Sequence, residues 1–433
     1  MRVPFTKDTL ANGLDVIVHE DRHAPLVAVS VWYHVGSKNE RPGRTGFAHL
    51  FEHLMFEGSA HQPHGYFEPL QQAGAAVNGS TSADRTNYWE VVPKDAAGLA
   101  LWMESDRMGW MLPAVTEARF ATQREVVLNE RRQNYENRPY GLAQFAMFEA
   151  IFPPNHPYHW STIGDPADLR AATLQDVQEF FARFYHPSNA SLAIAGDIST
   201  SDAIGLARRY FEEISAGPAV GPVIPPLVEL ADKRVVLEDR VELARLYLGW
   251  LSPALFAPGD AALDLAGDLL ANGRTSRLYR RLIYDQRIAT DVMASQGSRE
   301  LGSVFQLVAT AAPDHTLDRI EQIVREEIAR LAADGPTDDE IARGRQQAEA
   351  SFVYRLQTLG GFGGRADQLN AYNVYVGTPD YFDADLQRYL DVSKEDVRAA
   401  ARLLERGGTA AVSVVPAGRP DLALRGSRPA RVA

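Results

Sequence analysis

Residues 173–197, "TLQDVQEFFARFYHPSNASLAIAGD", and residues 393–417, "SKEDVRAAARLLERGGTAAVSVVPA", share one pattern: an amphipathic helix runs through a turn into an apolar strand. Their Asp-Val pairs, Asp176-Val177 and Asp396-Val397, fix the offset between the two stretches. A second echo gives nearly the same offset. "VHEDR" (18–22) precedes the alternating apolar stretch "LVAVSVWYHV", and "VLEDR" (236–240) precedes "ARLYLGWLSP". Two independent anchors with nearly one offset mark an internal duplication. Between the copies, "SAGPAVGPVIPPLVEL" (215–230) is rich in Pro and Gly and lacks periodicity, so it reads as a linker. The expected domains are 1–215 and 230–433, with 216–229 joining them.

Each half alternates strands with long helices. In the first, strands are expected at about 14–19, 26–35, 84–92 and 190–196, and helices at about 46–57, 94–110, 115–136 and 173–184. The expected class is α+β: two homologous halves, each an antiparallel sheet with helices packed on one face.

A chain of 433 residues with 45% apolar and 23% charged residues can bury more than one core. No apolar run approaches the ~20 residues that span a bilayer, so no membrane role is expected. The start, "MRVPFTKDTLANGLDVIV", lacks the layout of a signal peptide, which points to the cytoplasm, or to the periplasm if a leader has been removed. The formal charge is −12 and no basic run occurs, so nucleic acid is excluded as a partner. There are no cysteines, so any metal must be held by His and carboxylates.

One stretch offers such a set, "TGFAHLFEHLMFEGSA" (45–60). His49 and His53 are four apart and so lie one above the other on a helix, close enough to reach one ion. Glu52 projects beside them, poorly placed as a ligand but well placed to act on a water molecule at the ion. This is H-x-x-E-H, the inverse of the H-E-x-x-H order. Phe47, Leu50, Leu54 and Met55 make a buried stripe on the same helix, which leaves ionisable residues in a site where burial costs free energy unless they bind something.

A catalytic zinc takes three protein ligands and keeps one position open. The third is expected in "QREVVLNERRQNYENRPYG" (123–141), where Glu130 shares a helix face with Gln123, Val126 and Val127. Glu125 points roughly 140° away and is the weaker choice.

These residues resemble the pitrilysin-type inverted zincins, the family of insulin-degrading enzyme, pitrilysin and the mitochondrial processing peptidase. Its pattern is H-x-x-E-H followed by a ligand Glu at about the spacing that separates Glu130 from His53. His49, Glu52, His53 and Glu130 match it residue by residue. The resemblance covers the whole chain, since such members are built from two homologous α+β halves. It implies Zn2+ as cofactor, His49, His53 and Glu130 as its ligands, Glu52 as general base, and peptides or small unfolded proteins as substrates. "NGSTSADRTNYWEVVP" (78–93) is similar to the family's edge strand, where Asn78, Gly79 and Thr81 would hold the substrate backbone by strand addition. One position departs. Many relatives carry a Glu seven residues before the ligand Glu, and here that second-shell position is Gln123, which can orient a ligand but adds no charge.

Self-sufficient relatives also carry an Arg and a Tyr seven apart, in patterns like "L-R-E-K-R-G-L-A-Y", which stabilise the developing oxyanion. Aligned on Leu282 and Ala289 of "SRLYRRLIYDQRIATDVMA" (276–294), those positions are Ile283 and Thr290. Arg280, Arg281 and Arg287 are out of register. The helix of the second copy, "DAALDLAGDLLANG", has no H-x-x-E-H. The resemblance thus implies the catalytic subunit of a heterodimer, whose homologous, non-catalytic partner carries the Arg/Tyr pair and closes a chamber with it. The rival expectation is a non-catalytic scaffold, like respiratory-complex core proteins that resemble the family but have generally lost the zinc residues. "TLGGFGGR" (358–365) is expected to be a flexible loop, His156 and His159 to be structural, and Arg131-Arg132 to be a solvated or salt-bridged helix edge.

Overall fold

The computed structural model describes residues 3–430 and 432. The first half opens with β1 (Thr6–Thr9), β2 (Asp15–Glu20), β3 (Leu26–Tyr33), α1 (Phe47–Leu54) and α2 (Phe67–Gln72). It continues with β4 (Ala76–Thr81), β5 (Thr86–Pro93), α3 (Ala97–Trp110), α4 (Glu117–Arg131) and α5 (Ala143–Ile151). Then come α6 (Pro166–Ala171), α7 (Leu174–Phe184), β6 (Ala190–Gly196) and α8 (Thr200–Phe211). The second half runs β7 (Lys233–Asp239), β8 (Arg245–Ser252), α9 (Asp260–Ala271), β9 (Ala289–Gly297) and β10 (Ser303–Ala311). It closes with α10 (Leu317–Asp334), α11 (Asp338–Gln357), α12 (Arg365–Val376), α13 (Phe382–Leu390), α14 (Lys394–Arg406), β11 (Thr409–Pro416) and β12 (Arg428–Pro429).

The two sheets repeat each other. Their strand orders are β1-β2-β6-β3-β5-β4 and β12-β7-β11-β8-β10-β9, so five strands correspond in sequence order and place. The stretches 173–197 and 393–417 are α7–β6 and α14–β11, and both helices start with a capping box, Thr173/Asp176 and Ser393/Asp396.

Each sheet is antiparallel except where one strand inserts. β6 enters between β2 and β3, which run in opposite directions, and must therefore parallel one of them: it pairs parallel to β2, Asp15 opposite Ser191, and antiparallel to β3, Val27 opposite Gly196. β11 does the same with β7 and β8. The short β12 adds a second parallel pair beside β7. Both sheets are therefore mixed, and the parallel pairs escape the expectation of antiparallel sheets because strand periodicity carries no direction.

The compact units do not follow one cut of the chain. Unit one comprises residues up to Asn129 with Ser161–Val223 and Ser351–Ala384, and unit two comprises Glu130–Trp160, Ile224–Ala350 and Asp385 onward. A division at 216–229 separates the two sheets, but the two sequence halves exchange a helix. α5 of the first half packs on β8 and β11, and α12 of the second half packs on β3 and β6. Their first residues, Ala143 and Arg365, are separated by nearly the repeat offset, so the exchange is itself duplicated.

In unit one the helices of its own half cover one face of the sheet and α12 covers the other, which buries β3 on both sides. The α12 contact is polar: Trp32 Nε1 and Asn87 Nδ2 donate to Asp367 Oδ1 at 2.6 and 2.8 Å, and Asn370 Nδ2 donates to Ser30 O at 2.8 Å. In unit two, Leu246, Leu248 and Trp250 of β8 join α9, α10 and α14 in one apolar core.

Candidate metal centre

α1 begins at Gly46, whose φ of 87° suits a residue without a Cβ. Its first backbone N–H groups are met by a buried acid: Gly46 N and Ala48 N donate to Glu40 Oε2 and Oε1 at 2.9 and 2.8 Å. Burial pushes the Glu40 carboxyl up to about 8, against the backbone donors that pull it down. Phe47, Ala48, Leu50, Phe51 and Leu54 are buried, which fixes the rotation of the helix and turns His49, Glu52 and His53 to a half-buried face.

On that face the imidazole rings of His49 and His53 lie 4.8 Å apart. Glu130, half-buried near the end of α4, joins them, and one donor atom from each of the three lies within 4.8 Å of the other two. Two imidazoles and one carboxylate are a zinc-type donor set, and three donors leave a position open. Among the described residues no other group of three His, Asp or Glu meets this criterion. Glu125 is exposed on the far side of α4. Val127 is buried, whereas Val126, beside Glu130 on the helix face, is 40% exposed.

A second layer surrounds the donors. Asn134 Nδ2 donates to Glu130 Oε1 at 3.2 Å from the π-helical turn that continues α4. Gln123 Nε2 donates to Glu57 Oε1 at 2.5 Å. Sequence reasoning missed Glu40, Glu57 and Asn134. Glu57 and Asn134 are each four residues from an expected ligand, a spacing that could have signalled them, whereas Glu40 lies in a connection without periodicity.

β4 is one of the two edge strands of the first sheet and runs against α1. Asn78 is exposed and its Oδ1 accepts from Gly79 N at 2.8 Å. A Cβ on Gly79 would come within 2.9 Å of Tyr88 and 3.0 Å of Phe56, so only glycine fits. Thr81 Oγ1 donates to Glu52 Oε2 at 2.6 Å.

The second half lacks these donors. Gly259 opens α9 with φ 93°, as Gly46 opens α1. Counted from these glycines, Ala262, Leu265 and Ala266 stand where the first half has His49, Glu52 and His53. Ile283 packs against the apolar core, and Thr290 is exposed on the edge strand β9. Arg281 is engaged by Glu326 and Glu327 at 2.7 and 2.8 Å, and Arg280 and Arg287 are exposed.

Other motifs are structural. His156 is buried against Phe152, its Nδ1 accepts from Tyr158 N at 3.0 Å, and burial lowers its pKa to about 4. His159 pairs through Nδ1 with Phe152 O. In the glycine-rich loop, Gly363 N donates to Asp367 Oδ2 at 2.7 Å and Gly360 packs on Ala28 and Val91. Arg131 is buried and paired with Glu136, while Arg132 is exposed.

A duplicated α+β chain with an inverted zincin motif in its first half alone defines a class, and comparison with known proteins identifies it. Residues 15–156 match Insulinase (Peptidase family M16), and residues 171–348 match the Peptidase M16 inactive domain. The chain belongs to the pitrilysin, or M16, family of metallopeptidases. It is 28% identical to the zinc protease PqqE of Helicobacter pylori over 90% of this chain and 87% of that one. It is 23% identical to a probable mitochondrial-processing peptidase subunit beta of Arabidopsis thaliana, over 80% of this chain and 67% of that one. The crystal structure of a protease from Helicobacter pylori superposes with a TM-score of 0.87 at 25% identity, over 96% of this chain and all of the other. A peptidase M16 inactive domain from Pseudomonas fluorescens shares the fold, with a TM-score of 0.83 at 19% identity over 99% of this chain and all of that one.

Proposed function

We propose that the chain is a zinc-dependent endopeptidase for peptides or small unfolded proteins, and the catalytic subunit of a two-chain enzyme. The observation that carries the reading is the convergence of His49, His53 and Glu130 within 4.8 Å, with Glu52 beside them on the same helix. Zinc held by these residues would supply a Lewis acid that polarises the peptide carbonyl and activates water. Glu52 takes the proton of the attacking water and passes it to the departing amine. Asn78 and Gly79 offer the edge of β4 to an extended substrate, whose backbone adds to the sheet. Gln123 and Glu57 brace α4 against the turn that follows α1. The retention of all four motif residues favours an enzyme over a scaffold.

Glu52→Gln tests the reading. This variant is expected to keep stoichiometric zinc and lose nearly all turnover of an unfolded polypeptide. Wild-type rates in Glu52→Gln, or a wild-type protein that takes up no zinc, would remove it. Glu130→Gln is expected to weaken zinc binding while Glu125→Gln leaves it unchanged, measured by chelator competition. Equal effects of the two would defeat the ligand assignment.

A further inference from the structure

We infer that the Thr81 hydroxyl is a positioning group for the base Glu52, in addition to any part the Thr81 backbone takes in holding substrate. The inference rests on the reading of Glu52 as the base.

The pleat of β4 decides which side chains reach α1. Gly79 and Thr81 are two apart and share one face, while Asn78 and Ser80 share the other. The contacts agree: Gly79 faces Phe56 and Tyr88, and Thr81 faces Glu52, whereas Ser80 Oγ turns to Asn87 Oδ1 at 2.7 Å and receives Arg85. Thr81 is also the last residue of β4, paired with Thr86, whose hydroxyl donates to Val35 O at 2.9 Å. The end of the strand is therefore tied to the body of the sheet, and the Thr81 Cβ with it.

The 2.6 Å bond runs from this fixed strand to a side chain on α1, a separate element earlier in the chain. A free glutamate spreads over several rotamers, and a donated hydroxyl restricts the carboxylate to one of them. Threonine suits the task because its β-branched side chain has few χ1 choices. One strand thus has two uses. Its edge receives the substrate and its inward face sets the base, so a register slip of one residue would lose both.

The test compares Thr81→Val, which keeps the shape and removes the donor, with Thr81→Ser, which keeps the donor. Thr81→Val is expected to lower kcat by about 10–100-fold with KM unchanged, and Thr81→Ser to retain most of the rate. Zinc affinity by chelator competition and the melting temperature of the metal-free protein are expected to stay at wild-type values in both. In a Glu52→Gln background, Thr81→Val is expected to cost nothing further. A raised KM with kcat preserved would make Thr81 a substrate-holding residue only and overturn the inference, as would an unchanged kcat. Equal losses in Val and Ser, or a fall in melting temperature that matches the loss of rate, would also overturn it. An active Glu52→Gln enzyme would instead remove the base assignment itself, which separates the two failures.

Discussion

Gln123 and Glu57 form an amide–acid pair beside the candidate metal centre. The resemblance implies an acid in many relatives at the position that Gln123 holds on α4. Here the amide at that position donates to an acid beyond α1, so the pair still contains one carboxylate, contributed by the other element. Gln123→Glu sets two carboxylates within hydrogen-bond distance, which repel unless one takes up a proton. We expect that variant to bind zinc about 10–100-fold more weakly by chelator competition. The exchange Glu57→Gln with Gln123→Glu restores an acid–amide pair and is expected to recover most of the loss. An exchange no better than Gln123→Glu alone would show that the pair does not brace the centre. Glu40 makes a second residue-scale prediction. Its carboxyl, ordinarily near 4.5, is pushed up to about 8 by burial, so the folded chain keeps a proton there that the unfolded chain releases. Stability from this source is full below pH 4.5 and falls as pH rises towards about 8. Urea unfolding at pH 5 and pH 8 is expected to show a smaller loss in Glu40→Gln than in the wild type.

The exchanged helices α5 and α12 dock by different physics. Gly249 of β8 leaves room for α5, since a Cβ there would come within 2.5 Å of Met147 Sδ and 3.0 Å of Ile151. Gly249→Ala overpacks that contact and is expected to cost about 1–3 kcal/mol in denaturant unfolding. α12 instead relies on buried hydrogen bonds, and Asp367→Ala strands the donors of Trp32 and Asn87, at roughly 1–3 kcal/mol each. Asp367→Asn keeps an acceptor oxygen and is expected to cost less, and the two unfolding curves check this. Such contacts explain which parts of the fold were legible beforehand. The short, β-branched apolar run Leu26–Tyr33 and the amphipathic Leu174–Phe184 declare their type locally. Periodicity does not say which sheet a helix will cover or where a strand will insert, so the exchange and the parallel pairs were hidden. The candidate site was largely readable because His49, Glu52 and His53 share one short helix and Glu130 follows on a regular face of α4. Glu40 was not, because its partners are backbone groups six to eight residues away that only the folded turn brings near.

At the scale of the whole chain, the two copies share one topology, and only the first carries the candidate metal donors. Strand order, capping boxes and the glycine that opens the central helix are retained in the second half, while Ala262, Leu265 and Ala266 carry no donors. At the two positions where self-sufficient relatives are expected to carry an Arg and a Tyr, this half has neither. Ile283 is apolar and packs on its core, and the Thr290 hydroxyl is directed to its own strand neighbours, Asp291 and Thr310 O. Losing one oxyanion donor typically costs ~2.7–4 kcal/mol, or about 100- to 1,000-fold in rate. The purified chain is therefore expected to hydrolyse an unfolded polypeptide slowly, through Glu52 and the metal donors alone. A homologous chain with an Arg and a Tyr at the positions of Ile283 and Thr290 is expected to raise that rate by two to three orders of magnitude. Replacing that pair by Ala in the added chain is expected to abolish the gain while complex formation, followed by size-exclusion chromatography, persists. Glu52→Gln in this chain is expected to silence the mixture, which assigns the chemistry to the first half. A purified chain whose turnover already equals that of every mixture, and does not depend on an added Arg/Tyr pair, would show instead that this chain completes its own site.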